Sequence, residues 1–227
     1  MNLVDADYSL AQNVNVGLED GVIGLYGGSG ERIIVRGAEK NVLQRVTLVH
    51  ELTHGLQDQH FELTYRWHEV HAGSALLTLI EGDAESVANA YLASLSDAEQ
   101  VTYWELLDAF VATIDAAGDV FIPTLLSAPY TIGPHFVDAL IAIEGVQAVH
   151  EALRAPPTSD EQILAPARFL SNETARYPAL PRPRSGEQVL GRGTLGPKSP
   201  CSASSQRGST SCRRWTRSWA GAATRTP

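Results

Sequence analysis

Cysteine is nearly missing from this chain. Its two cysteines, Cys201 and Cys212, both lie near the C-terminus. Disulfides therefore do not hold the first 190 residues together, and thiolates do not ligate a metal there. Methionine occurs once, as Met1. No run of 18 or more apolar residues is present, so no ordinary transmembrane helix is expected. The start shows no basic segment followed by an apolar stretch, and no signal peptide is read there. Acidic residues are also missing from one region. Residues 191–227 hold no Asp or Glu and seven basic residues, which leaves −16 on residues 1–190 of a chain whose net charge is −9. So acidic a body argues against a nucleic-acid-binding surface.

What is present is enough apolar residue for a core, 44% of 227 residues. The pattern predicts one α+β, mostly helical domain over 1–184 and a tail over 185–227. The tail is Gly, Ser, Arg, Thr and Pro with little periodicity. Two readings of it stay open: a disordered basic segment, or a shifted reading frame of GC-rich coding DNA. Within the body, Val22–Tyr26 and Arg32–Val35 flank Gly27-Gly28-Ser29-Gly30 and predict a β-hairpin. Helices are predicted over about 41–60, 74–95, 97–117 and 134–153. A link with Pro123, Pro129 and Gly133 precedes the last of these, and Ser159–Leu170 has room for a turn or two.

Chemistry enters at His50-Glu51-Leu52-Thr53-His54, the pattern H-E-x-x-H. Two histidines four apart on a helix project from one face, so both imidazoles can reach a single Zn²⁺. The glutamate beside the first histidine then borders the metal's open position and can take a proton from a metal-activated water. The flanks read as helix: Asn41 can cap, and Val42, Leu43, Val46, Val49 and Leu56 recur at helical spacing.

A catalytic zinc site usually has three protein ligands. His60 would complete the spacing H-E-x-x-H-x-x-Q-x-x-H, but Gln57 stands where metzincins turn on a glycine. If the helix continues, His60 lies about 280° round from His50 and points away. A methionine turn is also missing. Glu81, 27 residues after His54, is the better third ligand. It follows the apolar run Ala75–Ile80 on a helix that should pack antiparallel to the first. Gly82 permits a close helix approach. Glu85, one turn on, can accept a hydrogen bond from a ligating imidazole. Asp83 should face elsewhere and is available to orient the first helix. Asp58 reads as structural, and His68 and His71 as a surface loop.

HELTHGLQDQHF with EGDA downstream resembles the gluzincin metallopeptidases, the thermolysin-like clan. PYTIGPHFVDAL and PPTSDEQIL are similar to segments of poorly characterised bacterial zinc peptidases of that clan. The resemblance covers roughly residues 20–190. It implies His50, His54 and Glu81 as zinc ligands, Glu51 as catalytic base, and a hairpin strand lining a peptide-binding cleft. Gluzincins commonly add a His or Tyr that stabilises the oxyanion. Tyr130, fixed by Pro129 and Gly133 ahead of a helix, is the first choice, and His135 the second. Relatives of this kind are often exported, which would apply here if the chain lacks its natural start. The expectation is a zinc-dependent hydrolase of peptide or protein substrates, an endopeptidase sooner than an exopeptidase. The alternative is an inactive zinc-binding or peptide-binding domain on the same scaffold.

Overall fold

The computed structural model describes residues 21–27, 32–38, 40–63, 73–115 and 121–174. The tail, hairpin residues 28–31, His68 and His71 lie outside them. A short antiparallel sheet comes first: β1 (Gly24–Gly27) pairs with β2 (Arg32–Val35), with Gly24 opposite Val35 and Tyr26 opposite Ile33. Helices follow: α1 (Val42–Phe61), α2 (Gly73–Ala93), α3 (Asp97–Asp115), α4 (Phe121–Glu144), α5 (Val146–Arg154), α6 (Asp160–Leu164) and α7 (Pro166–Leu170). The fold is α+β and mostly helical, as the sequence predicts.

Asn41 starts α1 through a capping box. Its side chain accepts from the Gln44 N–H, and the Gln44 side chain accepts from the Asn41 N–H. The helix runs on through Gln57 and His60 without turning. It ends at Glu62, whose left-handed backbone (φ 53°) lets its N–H reach the Asp58 carbonyl.

Helix α2 runs antiparallel to α1 and is shared by two apolar clusters. Leu76, Leu79 and Ile80 pack with Phe136, Val137 and Leu140 of α4 and with Val149 and Leu153 of α5. Ala88 and Leu92 pack with Val42, Leu43 and Val46 of α1 and with Tyr103 of α3. Glu81 and Glu85 fall in the stretch of α2 between the two clusters. Ser74 at the start of α2 donates to the buried Asp160 of α6, which ties the C-terminal turns to the same helix.

Two expectations are corrected. The segment with Pro123, Pro129 and Gly133 is not a link: α4 runs through it, with Pro129 and Pro134 inside the helix. An interior proline costs about 3 kcal/mol or more. Against this, α4 buries Phe136, Val137 and Leu140 almost completely, at about 1.5–3 kcal/mol each. The break comes instead at Gly145 (φ 80°), where α5 departs at 120° from α4. No single described helix is long and apolar enough to cross a membrane; α4 with α5 passes only as a bent pair.

The second correction concerns the face of α1. Leu56 is not in the core: Leu48, Leu52 and Leu56 are all exposed. His50, Glu51, Thr53 and Gln57 are buried in their place.

Candidate metal centre

Helical spacing brings His50 and His54 to one side of α1, and α2 brings Glu81 across to them. The His50 and His54 Nε2 atoms are 3.0 Å apart. Glu81 Oε2 lies 3.2 Å from the first and 3.3 Å from the second. Zinc held at about 2.0–2.1 Å by nitrogen or oxygen donors in a tetrahedron would separate neighbouring donors by about 3.3 Å. The triangle therefore has the dimensions of one face of such a tetrahedron. Among the described residues, these three form the group that can hold a metal ion. His60 is exposed at the end of α1 and takes no part.

The far side of each imidazole is also engaged. His50 Nδ1 is 3.4 Å from Glu85 Oε2. His54 Nδ1 is 2.9 Å from Gln57 Oε1. With acceptors behind both rings, the Nδ1 atoms carry protons and the Nε2 lone pairs turn towards Glu81. Three electron-rich atoms this close repel one another unless a cation or a proton lies between them. The donor set is thus suited to a metal.

Without a metal, a proton supplies that charge. Burial alone would lower the His50 pKa, but hydrogen bonds to Glu81 and Glu85 outweigh it and raise the value to about 9. Burial likewise pushes the Glu81 carboxyl up, and its hydrogen bonds with His50 and His54 bring it down to about 2. The His50 contribution to stability is complete below 6.5 and is lost as pH rises through 9. The Glu81 contribution is complete above 4.5 and is lost as pH falls through 2. Chelator-treated protein should therefore melt at a clearly lower temperature at pH 9.5 than at pH 6, in scans at constant ionic strength. An unchanged or higher melting temperature at pH 9.5 contradicts this assignment.

Glu51 is buried beside the triangle. Burial raises its pKa, while the charges of His54 and His50 oppose the rise and the Tyr26 N–H donates to the carboxylate. Strand β1 passes directly over it. A methyl group on Gly24 would stand 2.8 Å from Glu51 Oε1 and 2.5 Å from Thr47 Cγ2. Tyr26, next but one along the strand, donates its hydroxyl to Asp58 Oδ2 at 3.0 Å. Asp58 thus helps fasten the hairpin to α1.

Tyr130 reaches the site from a position the sequence did not indicate. It lies within α4, not ahead of a helix. Its ring stacks on His50 with centroids 5.8 Å apart and planes at 26°. The residue as a whole is 43% exposed. The phenol is nevertheless pushed well above its ordinary pKa by burial of its polar end and by Glu81, so the hydroxyl keeps its proton. His135, the second choice, is exposed on the same helix.

Two residues of this centre escaped the sequence reading in whole or in part. By sequence Gln57 does no more than continue the helix. Asp83 faces Gln57, and burial raises its carboxyl pKa while the Gln57 amide lowers it. The signal available was the i, i+3 spacing of His54 and Gln57. No family model, no curated protein and no solved structure matches this chain.

Proposed function

We propose that this chain is a zinc-dependent peptidase, with His50, His54 and Glu81 as metal ligands. The observation that carries the reading is the 3.0–3.3 Å triangle of two imidazole nitrogens and one carboxylate oxygen, bordered by a buried glutamate from the same helix. Two nitrogens and one oxygen suit zinc, and three protein ligands leave a position open for chemistry. A bound zinc ion supplies Lewis acidity, polarising a carbonyl and making a water acidic enough to give up a proton near neutral pH. Glu51 accepts that proton and passes it to the departing amine. Its raised pKa brings it nearer the pH at which a carboxylate can both take and return a proton. The protonated Tyr130 hydroxyl donates to the oxyanion that forms on the substrate carbonyl. Glu85 holds the His50 ring through Nδ1. The hairpin over Glu51 offers a strand along which an extended peptide can pair.

The test is direct. The purified protein should bind one equivalent of zinc, and His54→Ala and Glu81→Ala should each abolish binding. The zinc-loaded protein should cleave members of a generic peptide library, and chelation should stop cleavage. Zinc binding without cleavage makes the chain a metal-dependent binding domain. No zinc binding removes the metal centre altogether.

A further inference from the structure

Gln57 is 3% exposed and lies one turn beyond His54. Its amide nitrogen has two N–H groups, and both are engaged on α2. One donates to the Ile80 carbonyl at 3.1 Å and the other to Asp83 Oδ2 at 2.7 Å. These two acceptors decide which way the amide faces. Turned over, its oxygen would meet a carbonyl and a carboxylate, with no proton between them. The oxygen must therefore be the atom at 2.9 Å from His54 Nδ1. An amide oxygen only accepts, so His54 carries its ring proton on Nδ1. Its Nε2 is left as the lone-pair nitrogen, 3.0 Å from His50 Nε2 and 3.3 Å from Glu81 Oε2.

We propose that Gln57 is a positioning residue for the metal centre, fixing the tautomer and ring orientation of His54, with Asp83 as the anchor that fixes Gln57. The inference rests on the reading of His50, His54 and Glu81 as metal ligands. It goes beyond that reading by making the two ligand-bearing helices interdependent. The residues that hold Gln57 in place, Ile80 and Asp83, flank Glu81 on α2. The ring of one α1 ligand is thus set by the segment of α2 that supplies the third ligand.

Gln57→Leu keeps the approximate size and removes the acceptor. Zinc affinity, measured by competition with a chromophoric chelator, should fall about 10- to 100-fold. Cooperative melting of the metal-free protein should be retained. Nitrogen-15 imidazole spectra of the zinc-loaded wild type should show His54 protonated at Nδ1. That measurement stands even if Gln57→Leu fails to fold. Unchanged affinity in Gln57→Leu overturns the proposal, as does His54 protonated at Nε2. If Glu81→Ala abolishes zinc binding and Gln57→Leu does not weaken it, the metal centre stands and the role of Gln57 falls. If the wild type binds no zinc, both fall together.

Discussion

Glu51→Gln is expected to slow peptide hydrolysis by about 10²- to 10⁴-fold, the range over which a positioned acid–base group contributes. Zinc affinity and melting temperature should stay close to wild type. The reason is geometric. Glu51 is buried, with its carboxylate against Gly24 and under the Tyr26 N–H. Glutamine has nearly the same shape and can still accept that N–H, so packing is preserved. What it cannot do is accept a proton from water and return it to an amine. Steady-state cleavage of a fluorogenic peptide, read alongside zinc titration and thermal melting of the same preparation, separates the two effects. A variant that cleaves at the wild-type rate rules out Glu51 as the base. A variant that also loses zinc or stability assigns Glu51 a structural part.

The second large effect is expected far from any proton transfer. In Gly82→Ala, the new Cβ would lie 2.3 Å from the carbonyl carbon of Gly133 and 2.6 Å from its Cα and oxygen. Overfilling a core ordinarily costs about 1–3 kcal/mol because neighbouring side chains can shift. Here the obstacle is backbone, so α2 and α4 must separate, which opens the layer of Leu79, Val137 and Leu140 between them. A loss of about 3 kcal/mol or more is expected, roughly 6–12 °C in melting temperature for a body of this size. Zinc affinity should fall with it, because Glu81 is the adjacent residue. Gly55→Ala is the control. Its Cβ would meet only the Tyr26 ring, at 3.6 Å, and alanine favours the helix. Equal melting temperatures for the two variants would mean that the Gly82–Gly133 approach does not hold these helices together.

The parts of the molecule legible in the sequence are those decided by neighbours along the chain. The i, i+4 histidines, the cap at Asn41 and the alternation in the hairpin need only local geometry. Glu81 could be placed because it interrupts an apolar run on a helix that has to pack somewhere. The parts that were not legible are decided across the fold. Pro129, Gly133 and Pro134 each weaken a helix locally, and α4 survives because its far half is buried against α2 and α5. The face of α1 misleads for the opposite reason. Its leucines at 48, 52 and 56 look like core, but the inward face is taken by the polar groups of the candidate metal centre. The i, i+3 spacing places Gln57 beside His54, but the orientation of its amide is set by Asp83, 26 residues away. Tyr130 is indicated only by the family resemblance, and it reaches His50 from a helix that local signals argue against.

The hairpin and Glu51 share one contact. Gly24 leaves no room for a methyl group between strand β1 and the Glu51 carboxylate. The strand therefore rests on Glu51 itself. Its neighbour Tyr26 adds a backbone donor to the same carboxylate and a hydroxyl link to Asp58. Strand β1 is thus linked to α1 at both Glu51 and Asp58. With Glu51 in the proposed role of base, a peptide pulling on β1 would shift the atom that receives the proton, and displacements of about 1 Å in such geometry can cost about 10²-fold in rate. Substrate fit along the hairpin would then be read out as speed of cleavage more than as strength of binding.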